Sequence, residues 1–477
     1  MTLREPVELV APDRLGALHL IAMGGTGMSG IALGYHELGI PVSGCDRTDS
    51  PALRHLAELG IETHVGHDPA QLEGVSTVVV SSAIPPDNVE LVAARRAGLR
   101  VWHRSTALAA LMLGHRGVSV AGTHGKTTTS AMVATMVAAA GADPSYVVGS
   151  PLVTTGESAR IGRGAPFIVE ADESDGSFWQ YPTSIAVITN IEADHLDNWG
   201  TPERYADGFA RFATAERVER VVINGDDPGA RALAERLRAD PAVRAGVITY
   251  GESAGVDARL TDVSSAGMTA RARLDHDGRE HGLELAVPGR HNLWNAAAAF
   301  VVGELLGLDA DALLAGARSF AGTSRRFQLV GSVALDGGDV TVVDDYAHHP
   351  TEIARALEAG RGAAGGGRLI ACFQPHLFSR TRIFAEEFGR ALAAADLVVL
   401  TDVYPAREEP EPGVTGELVV DAARAAGADV RYVPDKTGLP AALADLVRGG
   451  DLVMTLGAGD ITRVGPALLE RLGASRS

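Results

Sequence analysis

The sequence predicts an α/β protein of several domains, each built on a largely parallel sheet covered by helices, and three observations carry that expectation. Short apolar runs alternate with helical patterns along almost the whole chain. Two of those runs pass straight into glycine-rich turns that open helices, at residues 24–30 and 122–125. Polar and acidic residues collect where later runs end, and that is where open parallel sheets bind their ligands. At 477 residues the chain exceeds one ordinary core, and ~150 residues per domain suggests three.

The first run, residues 18–23, leads into Gly24-Gly25-Thr26-Gly27-Met28-Ser29-Gly30 and a helix that stops near Gly39. Gly25, Gly27 and Gly30 fit G-x-G-x-x-G, and Asp46 closes the next strand about where a ribose-binding acid sits, ~20 residues on. The pattern does not choose between NAD and another diphosphate, because pyrophosphate at a helix N-terminus suits UDP equally well. Helices over 51–59, 88–97 and 106–113, with strands over 77–82 and 99–102, complete this region.

A second region opens with an apolar strand ending at Ala121, then Gly122, Thr123, His124 and Gly125, then Lys126, Thr127 and Thr128 at the start of a helical pattern running to about residue 140. Such a turn converges backbone N–H groups on an anion. Lys126 would reach the β- and γ-phosphates of a triphosphate and the Thr127 hydroxyl would ligate Mg²⁺. The match to G-x-x-x-x-G-K-[ST] is partial, since Val120 stands where the first glycine belongs. Composition strengthens it. Lys126 and Lys436 are the only lysines among 42 basic residues, and arginine's planar fork does not replace a compact ammonium beside a phosphate.

Strands over 167–171 and 185–190 end in Glu170-Ala-Asp-Glu-Ser-Asp175 and Asn190-Ile-Glu-Ala-Asp-His-Leu-Asp197, and a third strand covers 221–224. Mg²⁺ prefers oxygen ligands, which makes Glu170 the first candidate. His195 reads equally as a ligand or as a group that caps or bridges its neighbours. Residues 252–287 alternate polar and apolar positions around Asp277-Gly278, as a small antiparallel appendage would. The helix that begins after Pro288 carries His291, Asn292 and Asn295, which suit purine edges or helix capping alike.

A third region starts near Gly322 with Arg325 and Arg326 just past a helix. Its strand over 340–343 leads into Asp344-Asp-Tyr346, and strands over 369–373, 397–400 and 452–456 end in polar loops that include His376, Arg380, Asp402 and Asp460.

Hydrophobic content of 46% and charged content of 21% describe a soluble globular chain. A net charge of −18 argues against nucleic acid and against an anionic membrane surface, so an anionic substrate must meet local positive charge. The two cysteines, Cys45 and Cys372, are far apart, and nothing in their spacing suggests a disulfide framework or a zinc site. With no secretory leader pattern and no run of ~18 apolar residues, a cytoplasmic protein without membrane insertion is expected.

Taken together, Ala121–Thr129, Glu170–Asp175, Thr189–His195, Pro288–Asn292, Asp344–Tyr346 with His348–Pro350, and Asp402–Ala406 resemble the motifs of the Mur ligases, in that family's order and over nearly the whole length. The resemblance implies three domains: a UDP-sugar-binding Rossmann-like domain over 1–115, a central ATP-binding P-loop domain over 116–321 and a C-terminal amino-acid-binding Rossmann-like domain over 322–477. It implies an ATP- and Mg²⁺-dependent amide-forming ligase, monomeric or homodimeric, that joins L-alanine to the lactyl carboxylate of UDP-N-acetylmuramate through an acyl phosphate.

On that resemblance Gly25, Gly27 and Gly30 hold the UDP diphosphate, with Asp46, Ser82 and Ala83 near the nucleoside. Gly122 to Thr128 hold the ATP phosphates. His291, Asn292 and Asn295 contact adenine, and Arg325 and Arg326 face the nucleotide. Thr127, Glu170 and His195 surround the metal. Lys126, Glu170, His195 and Arg326 form the catalytic set, while Tyr346, His376 and Arg380 receive alanine. Some related ligases hold a metal through a carbamylated lysine, a device absent here because no lysine lies between Lys126 and Lys436. Ala347 replaces a usual glycine, and Leu377-Phe378 a more polar pair beside His376. A recycling ligase that attaches a peptide to the same sugar nucleotide is the near alternative. An NAD-dependent oxidoreductase and a nucleotide sensor are the distant ones, and both leave the acidic clusters around a solitary lysine unexplained.

Overall fold

The computed structural model describes residues 3–406 and 408–474, except the side chain of Thr26. They form two compact units, one from residues up to 261 with 273–281 and 294–319, the other from 262–272, 282–293 and residues from 320 onward.

The first unit begins with five strands, β1 (Leu18–Ile21), β2 (Val42–Asp46), β3 (Glu62–Val65), β4 (Thr77–Val80) and β5 (Arg100–His103). They pair in parallel in the order β3-β2-β1-β4-β5, which requires a crossover between each consecutive pair. Local chemistry sets the helix starts. Ser50 accepts from Leu53 N ahead of the helix Pro51–Glu58, and Asn88 accepts from the N–H groups of Glu90 and Leu91 ahead of Val89–Arg96.

Next come β6 (Arg116–Ala121), β7 (Ser145–Val147), β8 (Ala159–Arg160), β9 (Pro166–Glu170), β10 (Thr183–Ile188), β11 (Arg220–Asn224), β12 (Gly246–Gly251), β13 (Ala258–Ala266), β14 (Thr269–His276) and β15 (Arg279–Leu285). The sheet order is β15-β14-β13-β12-β11-β10-β6-β9-β7-β8. β10, β6 and β9 are parallel neighbours, so the three strand ends singled out in the sequence open on one edge. β14 alternates exposed and buried residues along its length, and the Asp277-Gly278 turn that follows has positive φ at both residues.

The second unit takes in parts of β13, β14 and β15 and holds a sheet of β16 (Gln328–Leu335), β17 (Gly338–Asp345), β18 (Leu369–Phe373), β19 (Leu397–Leu400), β20 (Val430–Tyr432) and β21 (Leu452–Leu456), in the order β16-β17-β21-β18-β19-β20. Only the β16–β17 pair is antiparallel. Each face of this sheet has its own apolar layer, one around Phe373 and Phe388, the other around Leu443 and Leu468. That double burial explains why its strands read as unbroken apolar runs. Among the described residues no helix is long and apolar enough to cross a membrane. Both cysteines are buried and unbridged.

Strands β3, β7, β8, β12, β16 and β20 were not expected from the sequence. Four of them have four residues or fewer and sit at or beside a sheet edge, where pairing with a neighbour rather than periodicity defines them. β12 ends in Tyr-Gly and reads as a turn signal without its neighbour β11.

Candidate active site

The glycine turn between β6 and the helix Lys126–Ala139 leaves no room for a side chain at Gly122. Gly122 has φ +139° and a Cβ there would lie 2.0 Å from Thr189 Oγ1. Gly125 caps the helix at φ +82°, and its Cβ would meet Asn295 Oδ1 at 3.3 Å, so Asn295 packs beside the loop. β10 fixes the turn from the other side: Thr189 Oγ1 and Asn190 Nδ2 both donate to His124 O, at 2.6 and 2.8 Å, and His124 N donates to Asn190 Oδ1. Thr123 Oγ1 donates to Glu192 O at 2.8 Å and also meets Tyr205 OH, while the His124 ring lies 3.2 Å from Glu192. Thr128 is half-buried on the first helical turn.

Lys126 folds back over this turn. Its Nζ donates to Gly122 O at 2.6 Å, Thr123 O at 3.1 Å and Glu173 Oε1 at 2.9 Å. Burial pushes the Glu173 carboxyl up to about 7 against the downward pull of Lys126, whose own pKa rises because its carboxylate neighbours outweigh its burial. Thr127 Oγ1 donates to Glu170 Oε1 at 3.0 Å, and the other Glu170 oxygen accepts from Gly149 N at 2.7 Å. Asp172 is driven up by burial, but Arg104 at 2.7 Å and the Ser174 N–H more than offset this and bring it to about 2. Arg4 pairs with Asp175 at 2.9 Å, and Ser82 Oγ donates to the same carboxylate at 3.1 Å. Glu173 thus faces the one ammonium and Glu170 the threonine hydroxyl, while Asp172 and Asp175 are taken up by arginines.

Among the other sequence-selected residues of the first unit, His195 caps the short helix Leu196–Trp199 at φ +52°, with its Nε2 3.9 Å from Glu173 and 3.7 Å from Asp194. Gly25 caps the helix Thr26–Glu37, Gly27 lies near Arg104, and Gly30 packs its helix against Ala159. Asp46 Oδ2 accepts from Gly24 N at 3.0 Å and so braces the glycine turn, while Ala83 is exposed in the turn after β4.

In the second unit, Arg325 donates to Gly457 O at 2.5 Å and Gly459 O at 3.1 Å, and lies 3.4 Å from Asp344. Arg325 and Arg326 both lie over the Tyr346 ring, 4.8 and 5.1 Å from its centroid. His376 stacks on Tyr404, with centroids 5.8 Å apart, and its ring is 5.9 Å from that of His348. Arg380 is half-buried on the first turn of the helix Phe378–Leu392. His291 is half-buried, and its desolvation takes its pKa down to about 4, while Asn292 Nδ2 donates to Pro288 O at 2.6 Å.

Three family models account for most of the chain. Residues 17–116 match the model described as "Mur ligase family, catalytic domain", residues 120–303 the "Mur ligase middle domain", and residues 325–459 the "Mur ligase, glutamate ligase domain". The chain belongs to the Mur ligase family. Within this family it is 63% identical over 470 residues to the UDP-N-acetylmuramate–L-alanine ligase of Cutibacterium acnes, covering 98% of both chains. It is 53% identical to the same-named ligase of Kineococcus radiotolerans, covering 96% of this chain and 97% of that one. The crystal structure of the Mur ligase UDP-N-acetylmuramate-alanine ligase from Thermotoga maritima superposes with a TM-score of 0.80 at 27% identity, over 96% of this chain and 99% of that one. A murein peptide ligase from Psychrobacter arcticus shares the fold, with a TM-score of 0.69 at 23% identity over 96% of this chain and 99% of that one.

Sequence reasoning did not single out Glu173, Asn190 or Arg104. Glu173 is one of four acids in six residues, and spacing alone does not say which carboxylate turns inward once the strand has ended. Asn190 sits inside a quoted motif, yet its contribution is two hydrogen bonds to the backbone of His124, a pairing visible only when β10 lies beside β6.

Proposed function

We propose that this Mur ligase joins L-alanine to the lactyl carboxylate of UDP-N-acetylmuramate at the expense of ATP, in peptidoglycan precursor synthesis. The observation that carries the reading is the 63% identity, over 98% of the chain, to a ligase whose name states both substrates. The phosphate loop supports the ATP half independently.

A carboxylate is a poor electrophile, and coupling to ATP supplies the missing leaving group. A carboxylate oxygen attacks the γ-phosphorus, the bond to the β,γ-bridging oxygen breaks, and ADP departs from an acyl phosphate. Alanine's neutral amine then adds to the acyl carbon, and the tetrahedral adduct expels inorganic phosphate and loses a proton to give the amide. Bringing a carboxylate to a triphosphate is an electrostatic problem, so most of the catalysis is positioning and charge compensation. Lys126 exchanges Gly122 O, Thr123 O and Glu173 for phosphate oxygens at the head of the helix, whose free N–H groups add partial positive charge. The packing of Asn295 beside Gly125 supports its assignment to the nucleotide. Arg325, Arg326, His291 and Asn292 are assigned to ATP by resemblance, as Tyr346, His376 and Arg380 are to alanine and Gly25, Gly27, Gly30, Asp46, Ser82 and Ala83 to the UDP sugar.

The donor set fits Mg²⁺: a threonine hydroxyl 3.0 Å from a carboxylate, with the buried Glu173 carboxyl on the adjacent Lys126, is an all-oxygen site suited to a hard cation. Thr127 and Glu170 would hold the ion, with Glu173 and His195 next to it. When bound it neutralises phosphate charge. The balance of acids over bases here suits a chain that acts with a cytoplasmic divalent cation.

The test is phosphate release with ATP, Mg²⁺ and UDP-N-acetylmuramate, with acceptors supplied one at a time. Alanine supports the fastest release, and glycine and serine fall behind by roughly 10- to 200-fold, the discrimination one methyl or hydroxyl group allows. Release with the wall tripeptide and none with alanine would reassign the chain to peptide recycling.

A further inference from the structure

We infer that the N-terminal sheet carries a closed transition-metal site of the zinc class, built from His19, Cys45, His67 and Glu90. The four come from four separate places: His19 from β1, Cys45 from β2, His67 from just past β3, and Glu90 from the first turn of the helix Val89–Arg96. Their widely spread sequence positions hide them from any short spacing rule, which is why the cysteine pattern alone gave no hint of zinc. The group lies on the far face of β2 from the glycine turn, because Asp46 reaches Gly24 and its strand neighbour Cys45 points the other way.

Their donor atoms already converge. Cys45 Sγ is 2.9 Å from Glu90 Oε2 and 3.2 Å from His67 Nδ1, and His67 Nδ1 is 3.0 Å from Glu90 Oε2. His19 Nε2 lies 3.5 Å from Glu90 Oε1. Metal–ligand bonds of about 2.0–2.3 Å in a tetrahedron separate donors by roughly 3.3 to 3.8 Å. The donors of His19, Cys45 and Glu90 all lie within 4.8 Å of one another, and the partly exposed His67, already beside Cys45 and Glu90, completes the set by swinging its ring toward His19. One sulfur, two imidazole nitrogens and a carboxylate form a set that zinc accepts and magnesium does not.

Two further features point to a ligand. His19 is completely buried and its Nε2 has nothing nearer than the 3.5 Å approach to Glu90, too long and poorly aligned for a good hydrogen bond, while Ser43 Oγ holds the opposite ring nitrogen at 2.9 Å, as an orienting partner of a metal-bound imidazole does. The surroundings are apolar, with Ile21, Val75, Val78 and Leu91 around Cys45, and such a layer does not call for four polar side chains. Three of the four are fully buried. His67 alone has an exposed edge, with 22% of its side chain open, and this gives the ion an entry.

The experiment is a Co²⁺ titration of the full chain, stripped with chelator and kept reduced. With two cysteines in the chain, a sulfur-to-cobalt charge-transfer band can be assigned. The expected result is a saturable band with tetrahedral visible absorption, displaced by Zn²⁺, lost in Cys45→Ser and retained in Cys372→Ser. No band in the folded wild-type protein, or a band that survives Cys45→Ser, overturns the proposal. Should Cys45→Ser fail to fold by circular dichroism, His67→Ala decides: cobalt affinity weaker by ~10-fold or more upholds the site, and unchanged affinity removes it. Cobalt held at the magnesium site gives no sulfur band, so the outcome is independent of the ligase reading.

Discussion

Glu173 is buried against Lys126 and Trp199, and its carboxyl is pushed up to about 7 from an ordinary value of 4.5. A carboxyl whose folded value is raised takes up its proton more readily in the native state, so stability is lost as pH rises from about 4.5 through about 7. Asp172 has the opposite sign, but its contribution is lost only below 3.8 toward about 2, outside that window. Asp345, raised to about 6 by burial, shares the sign of Glu173, so the informative quantity is the difference between wild type and variant. Glu173→Gln is expected to flatten the fall in urea midpoint between about pH 5 and about pH 8. An identical slope in both proteins would show that Glu173 is ionised throughout. The position of Lys126 and Thr127 at the head of a helix after a glycine turn could be read from the sequence, because local spacing and composition hold that information. The pairing of Lys126 with Glu173 could not, since it depends on how a loop closes after its strand.

The acidic loop is held in place by an aromatic element beneath it. Phe178 stacks on Phe212 at 5.0 Å and meets Phe209 and Trp199 edge-on at 5.5 and 6.5 Å, while Trp199 Nε1 donates to Glu173 O at 3.1 Å. Phe178→Ala leaves a cavity in that cluster and is expected to cost about 3 to 5 kcal/mol in urea unfolding. It should also raise the Mg²⁺ concentration needed for half-maximal turnover, because the loop carrying Glu173 loses its floor. A loss of stability with unchanged Mg²⁺ dependence would separate the cluster from the site. The long parallel strands, buried on both faces, were legible as apolar runs, and β14 as an alternation. The short edge strands were not: three residues such as Ser145–Val147 become a strand only because β9 offers them partners.

The assigned residues fall in both units. The phosphate loop and acidic strand ends lie in the first, and the residues assigned to alanine lie in the second. His376, stacked on Tyr404 at the mouth of β18, therefore has a separable effect. His376→Ala should raise KM for alanine by ~10-fold or more and leave KM for ATP within about twofold, measured by ADP release. A matched rise in both would place His376 outside the amino-acid pocket. At this scale the fold class followed from alternation and length, and the order of the motifs gave the family. The meeting of His19, Cys45, His67 and Glu90 was out of reach, because four residues spread over more than seventy positions become neighbours only through the strand order β3-β2-β1-β4. The scarcity of lysine has a practical side. Lys126 is tied to Glu173 and Lys436 to Asp460. A reagent that acylates side-chain amines thus finds two positions to label. Nucleotide occupancy of the loop becomes readable as the shielding of a single peptide in a mass spectrum, with the other serving as its internal standard.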